Sequence, residues 1–398
     1  MNDVETRLTE LLKAGVGDPP NRVSVQAVRR KRAKRQMVTA AGAAAAIAAL
    51  AAVSVGLAGR VGSPGAAAGA GLPAGVPRFY VEEGTSSGGL KTVVRSTATG
   101  LATARVGCPW RDANSTIYPI AADGHQRFFM ICTARRHQSP TGARIYQFRV
   151  TGTGQVRDYS LIPGGQLGAV IAGPMAVSPT GSHVAVIVSP PGTGPATTPQ
   201  AQIIVINTRT GAHAVWRNAQ ATRHAARFRI FDISFASGGR ELAFLGTRTC
   251  GPQDDPPLCQ PRDQQIRALS PAAKGGVLST GPVLLRTTEP GKARWIEDAA
   301  VSADGSTLTI VTTTVPPKPQ PSTVTVSQVK IGTGKHRVIY RIHGSSGQEP
   351  EIFFTADATG RHFLISAGPF THPAVGWIHH GQLVSLKPFG AWVFYEAW

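Results

Sequence analysis

The sequence predicts an all-β fold: a six-bladed β-propeller closed by the C-terminal strand, preceded by one transmembrane helix and a short cytoplasmic helix. Three observations carry this. A strand-turn-strand unit recurs every 55 to 66 residues, a second hairpin follows it at a fixed offset, and residues 37–59 form an uncharged apolar run. Composition agrees. With 45 Gly and 30 Pro in 398 residues the chain is rich in turns, which argues against a helical bundle. At 42% hydrophobic and 16% charged it can bury a core, which excludes wholesale disorder and a miniature disulfide-stapled fold.

The chain divides into a head (1–36), a membrane span (37–59), a Gly/Ala-rich tether (60–77) and the propeller (78–398). In the head, Val4, Leu8, Leu11 and Leu12 share one side of a short helix that ends at Gly15, before the breaker Asp18-Pro19-Pro20. A cytoplasmic partner could dock there, or the helix could rest near the bilayer. The 23 residues from Met37 to Gly59 would span about 35 Å as a helix, enough for a hydrocarbon core of about 30 Å. Eleven of them are Ala, so insertion depends on Ile47, Leu50, Val53, Val55 and Leu57.

The basic run Arg29, Arg30, Lys31, Arg32, Lys34 and Arg35 precedes the span, and only Arg60 follows closely. This asymmetry places the amino terminus in the cytoplasm and the propeller outside the cell membrane. The competing reading is a removable signal peptide cleaved near Ala66 to Ala70; the long leader and long apolar run favour the anchor. The net charge of +19 does not point to nucleic acid. Residues 1–36 hold nine Lys/Arg against four Asp/Glu, and the chain from Arg60 onward holds 32 against 18, spread thinly. No aromatic residue interleaves the basic run, as a nucleic-acid surface would require.

Outside the span, one series of hairpins turns at Gly124, Gly181, Gly239, Gly305 and Gly360, which are 57, 58, 66 and 55 residues apart. A second series turns at Gly100, Gly154, Gly211 and Gly334, with Gly275-Gly276 standing where a missing member belongs and Gly381 in the last unit. In three units the second turn follows the first by 29 or 30 residues, so each unit has four strands in two hairpins, which is a propeller blade. The first unit lacks its opening strand, while the aromatic segment AWVFYEAW at 391–398 is left over. Pairing the two closes a ring of six and removes both open sheet edges.

The segments SPTGSHVAVIV, SADGSTLTIVT and SGGRELAFL resemble the strand-turn-strand repeat of TolB-like, WD-repeat-like propellers over residues 78–398. Thr180 and Gly238 replace the usual Asp, Ala358-Thr359 lengthens one turn, and the Trp-Asp signature is absent. The short head resembles those of actinobacterial membrane proteins related to sigma-factor regulators. These resemblances imply fold and membrane anchoring, with almost nothing about function.

All four cysteines follow the span, in a setting that permits disulfides. Cys250 with Cys259 would close a Pro-rich insertion, and Cys108 with Cys132 would lie inside the second blade. Chemistry is sparse. Gly84-Thr85-Ser86-Ser87-Gly88 matches the G-x-S-x-G pattern but falls in a turn between strands, without the strand-to-helix elbow that exposes a nucleophile. His362, His372, His379 and His380 form the only imidazole cluster, and neighbouring His379 and His380 point to opposite faces of a strand. The nearest acidic pairs are Asp254-Asp255 and Glu349 with Glu351, and neither has the context of a Ca²⁺ loop or a glycosidase site.

The expectation is therefore no catalytic, cofactor-binding or metal residue, and a non-catalytic module binding a protein, peptide or anionic envelope ligand. The alternatives are a propeller-type hydrolase or lyase with its site at the channel mouth, and a transmembrane sensor signalling through residues 1–36.

Overall fold

The computed structural model of the chain describes residues 72–397 apart from 110–115, 190–200, 219–226, 250–263, 288–293, 315–320, 347–350, 369–373, 387–391 and a few single or paired positions in turns. All of these fall in the unit Pro64–Trp398. The expected cytoplasmic head, basic run and membrane span lie outside the described residues, as do Cys250 and Cys259. Among the described residues no helix is long and apolar enough to cross a membrane.

The described strands build six sheets. Blade 1 contains β1 (Phe79–Ser86), β2 (Gly89–Ser96) and β3 (Ala102–Val106). Blade 2 is β4 (Thr116–Ala122), β5 (Arg127–Arg136), β6 (Ser139–Val150) and β7 (Val156–Leu167). Blade 3 is β8 (Val170–Val177), β9 (His183–Ser189), β10 (Gln202–Asn207) and β11 (His213–Arg217). Blade 4 is β12 (Arg227–Phe235), β13 (Leu242–Thr249), β14 (Gln264–Leu269) and, after the short β15 (Gly275–Val277), β16 (Val283–Thr287). Blade 5 is β17 (Arg294–Val301), β18 (Thr307–Thr314), β19 (Pro321–Lys330) and β20 (His336–Ser346). Blade 6 is β21 (Glu351–Ala356), β22 (Phe363–Gly368), β23 (Ala374–His379) and β24 (Gln382–Leu386). The last strand, β25 (Trp392–Ala397), returns to blade 1 and pairs antiparallel with β1, from Val81 opposite Ala397 to Thr85 opposite Trp392. The innermost strands then meet in the cyclic order β25, β4, β8, β12, β17, β21 around a central channel.

Each blade is buried on both faces, so its strands carry apolar residues at successive positions rather than at alternate ones. On β9, Val184, Val186 and Val188 pack towards blade 2, and Ala185 and Ile187 pack towards blade 4. Six such clusters fill the six interfaces between blades. The one between blades 1 and 2 is aromatic: Phe128 stacks on Phe148 at 5.6 Å, and Ala397 of the closing strand joins the same cluster.

Three sequence expectations need correction. The first-series turn of blade 2 is one residue shorter than the others, so its left-handed position falls on Gln126 (φ 59°), while Gly124 instead donates its N–H to the Pro179 carbonyl at 3.0 Å. Gly275 and Gly276 do not form a hairpin. They lie on β15, which leaves blade 4 and pairs parallel with β11 at the edge of blade 3. Glycine is required because Gly275 (φ 107°) lies against the Val215 backbone, and a Cβ on Gly276 would sit 2.9 Å from the Trp216 ring. Together with the long β13–β14 connection, this detour accounts for the stretched spacing of that unit. Finally, Cys108 and Cys132 are bonded, with Cα atoms 5.8 Å apart, but Cys108 follows β3 and Cys132 lies on β5. The bond ties blade 1 to blade 2 instead of lying within one blade.

With the cysteines 24 positions apart, the chain-entropy account assigns this bond about 3 kcal/mol. Cys108→Ser with Cys132→Ser should therefore lower unfolding stability by about that amount. Urea unfolding of the two proteins checks this.

Candidate functional site

Among the described residues, those singled out in the sequence do not converge on one site. Ser86 ends β1 and sits opposite Gly89 in a strand-to-strand hairpin, so the G-x-S-x-G match is a turn. His362 is held through Nδ1 by the Asp357 carboxylate at 2.8 Å, within the first turn of blade 6. His379 ends β23 and Glu351 begins β21, whereas His372, His380, Asp254, Asp255 and Glu349 lie outside the described residues. Among the described residues no group of three or more His, Cys, Asp or Glu is placed to hold a metal ion.

The structure assembles a different pair. Asp232 on β12 and Asp298 on β17 occupy the same place on the innermost strands of neighbouring blades, opposite Leu245 and Val311 respectively. At the corresponding level the inner strands of other blades carry Tyr118, Phe353 and Tyr395. Both aspartates follow a β-bulge, at Phe231 in β12 and at Glu297 in β17. A bulge adds one residue and so reverses the alternation of side chains. Phe228 and Ile230 pack towards blade 3, and beyond the bulge Ile233 and Phe235 do the same. Without the extra residue Asp232 would join that apolar row. With it, Asp232 turns to blade 5, where its Oδ2 accepts the Ala299 N–H at 3.1 Å.

Two side-chain amides fix the inner strands. Asn218, just beyond β11, exchanges hydrogen bonds with the Phe228 backbone, 2.7 Å from its N–H and 2.9 Å to its carbonyl. Buried Gln264, at the start of β14, does the same to Ile296, at 2.8 and 2.9 Å. The strand carrying each aspartate is thus clamped by the preceding blade, at Phe228 before the bulge of β12 and at Ile296 immediately before that of β17.

Asp232 is 8% exposed and Asp298 is half-buried. Burial pushes both carboxyls above their ordinary range, Asp298 the further of the two, because the Asp232 charge and Glu297 add to the effect. The two carboxyls act directly on each other. At a separation of about 3 Å, two full charges would repel by about 5 kcal/mol even with an effective dielectric constant of about 20. A single proton held between them relieves that repulsion and sets an acid beside a base. The neighbouring bulge residues Phe231 and Glu297 are exposed, and Arg229 lies 5.5 Å over the Phe231 ring. An innermost strand is covered on both faces by adjacent blades, so side chains exposed there reach solvent along the channel.

Because both carboxyls are raised, the folded protein binds more protons than the unfolded chain, and this site's contribution to stability falls as pH rises above about 4. Asp298→Asn keeps a donor for Asp232 and removes the titration. It should flatten that decline and cost little at pH 8, whereas Asp298→Ala strands the Asp232 charge and should destabilise by about 2 kcal/mol or more. Urea unfolding at pH 5 and pH 8 measures both effects.

No protein-family model matches the chain, and no curated protein does. Solved structures do. Prolyl oligopeptidase B from Galerina marginata aligns over 66% of this chain and 36% of its own, at 12% identity and a TM-score of 0.37. Acylaminoacyl peptidase from Pyrococcus horikoshii aligns over 69% and 39%, at 12% identity and a TM-score of 0.39. Dipeptidyl peptidase 4 from Porphyromonas gingivalis aligns over 81% and 47%, at 13% identity and a TM-score of 0.34. The chain thus matches less than half the length of each of these proteins. The expectation of a non-catalytic module that is not an enzyme is corrected here: a blade repeat by itself gives no ground for excluding catalysis. At these identities the likeness is one of propeller fold.

Proposed function

We propose that the propeller is the body of a hydrolase whose Asp232–Asp298 pair cleaves an amide bond at the central channel. The observation that carries this is the placement of two carboxyls, both raised by burial, at matching positions of adjacent inner strands. Ionised Asp232 takes a proton from a water molecule as the water oxygen attacks the carbonyl carbon, and Asp298 gives its proton to the carbonyl oxygen. As the tetrahedral intermediate collapses, Asp232 gives its proton to the leaving nitrogen, the carbon–nitrogen bond breaks, and Asp298 takes back a hydroxyl proton as the carbonyl re-forms, so the pair ends with the single proton it began with. Glycoside hydrolysis fits poorly, because its carboxyls stand about 5 to 9.5 Å apart, whereas these two act directly on each other.

The same proposal holds the enzyme at a membrane through residues 37–59, with the basic run 29–35 inside and the propeller outside the cytoplasm. Its support is the uncharged run and the one-sided charge. The TolB-like and WD-repeat-like kinship of the turns belongs to this proposal too, on the residues of the repeat alone.

A second reading is favoured by the Ala299 bond: the pair could be a clasp that stitches blades 4 and 5 together. The full chain incubated with a pool of synthetic peptides between pH 4 and pH 8, with products identified by mass spectrometry, separates the two. Catalysis predicts cleavage that falls by at least about a hundredfold in Asp232→Asn and in Asp298→Asn while both variants stay folded. Absence of cleavage, or cleavage undiminished in the variants, overturns the proposal and leaves the clasp.

A further inference from the structure

Two more carboxyls are buried far from that pair, and both lie on the strand that receives the chain's last strand. Glu82 and Glu83 of β1 are 0% exposed. At the same two positions the second strands of the other blades carry Met130-Ile131, Val186-Ile187, Phe244-Leu245, Ile310-Val311 and Ile365-Ser366. Only the blade assembled from both ends of the propeller sequence puts acids there. Glu82 is on the face of β1 with Tyr80, towards blade 6, and is paired with Arg95, which also donates to the Gly100 carbonyl. Glu83 is on the other face, with Phe79 and Val81, towards the apolar interface with blade 2. Among the described residues neither Glu83 oxygen has a hydrogen-bond partner, and the Thr92 hydroxyl on the residue opposite has none either.

In blades 2 to 6 the innermost strand continues through a tight turn into the second strand. In blade 1 no turn joins them, and β25 stays in place by pairing and packing alone. If β25 leaves, β1 becomes the channel edge and Glu83 meets water. We propose that closing the ring takes up a proton at Glu83, so that the clasp between the last strand and β1 is a proton-linked latch that loosens as the solution becomes alkaline. This is independent of the hydrolase reading.

Burial without a partner pushes Glu83 up to about 9, from an ordinary value of 4.5. Between those limits the closed ring holds one proton more than the open one, so the ratio of open to closed rises about tenfold per pH unit; outside them it is flat. Other ionisable residues on the strands around Glu83 are Tyr395 opposite and Glu396 beside it on β25, Lys91 on β2 and Tyr118 on β4. On the far face Glu82 is raised to about 7, because burial outweighs the Arg95 charge, and it adds in the same direction. Glu83 therefore has to be separated from Glu82 by substitution.

Amide hydrogen exchange of residues 392–397 in the full chain, corrected for intrinsic exchange, reads the open-to-closed ratio directly. From pH 6 to pH 8.5 protection of β25 should fall by about a hundredfold or more relative to β9. Glu83→Gln, or Glu83→Leu if the amide folds poorly, should remove most of that fall, while Glu82→Gln should leave Glu83's share in place. Protection of β25 that does not change with pH in the unsubstituted protein overturns the proposal, as does a Glu83 variant with an unchanged slope.

Discussion

A sheet edge is a row of unpaired N–H and C=O groups, and a ring of blades has none facing its own neighbours only if the last blade meets the first. Here that condition rests on the pairing of β25 with β1, which brings together segments some 300 residues apart in the chain. Everything else depends on it. The six interfaces between blades are apolar and of similar character, and each is held in place by the next, so an open ring would expose two of these faces at once. The Cys108–Cys132 bond crosses the interface between blades 1 and 2, the same one that Ala397 of the closing strand joins.

Ring closure also determines what chemistry the centre can carry. Inner strands stand side by side around the channel, so residues at equal heights on neighbouring blades become contacts although they are far apart in sequence. Asp232 and Asp298 are separated by 66 positions and yet each raises or lowers the other's proton affinity. The amides of Asn218 and Gln264 hold the two strands from the preceding blade. The Ala299 N–H anchors Asp232 from the next one. Such a pair is preorganised by tertiary structure and has no local motif.

This explains what could and could not be read from the residues. The blade count, both hairpin series and the closing strand were legible, because turns and apolar strands are local signals that repeat. Gly275-Gly276 misled because a glycine pair that permits a close parallel approach looks like a glycine pair that permits a turn. Gln126 misled for the converse reason, since a left-handed residue need not be glycine. The acidic pair has no local motif, because its two members stand 66 positions apart on different blades. The signal was nonetheless present: an Asp immediately precedes the repeat beginning Ile233 and again the one beginning Ala299. Only the bulge at Phe231, which register alone reveals, turns Asp232 from the apolar row towards blade 5.

The departures from the repeat carry more information than the repeat does. A blade position that faces a neighbouring blade is filled by apolar residues wherever packing alone selects it, as Met130, Phe244 and Ile310 show at the Glu82 position. An acid there opposes folding unless it is protonated or paired, so it persists against the local preference for burial of carbon. The described propeller makes that exchange in two places: at the inner strands of blades 4 and 5, and on the strand of blade 1 that accepts the closing segment. Blades 1 and 4 lie opposite one another in a ring of six. One acidic locus therefore faces the channel, where a substrate could reach it, and the other guards the seam that keeps the channel shaped. Both are set by protonation, so acidity acts on the propeller's stability and on its reactive pair through separate groups, which single substitutions can tell apart.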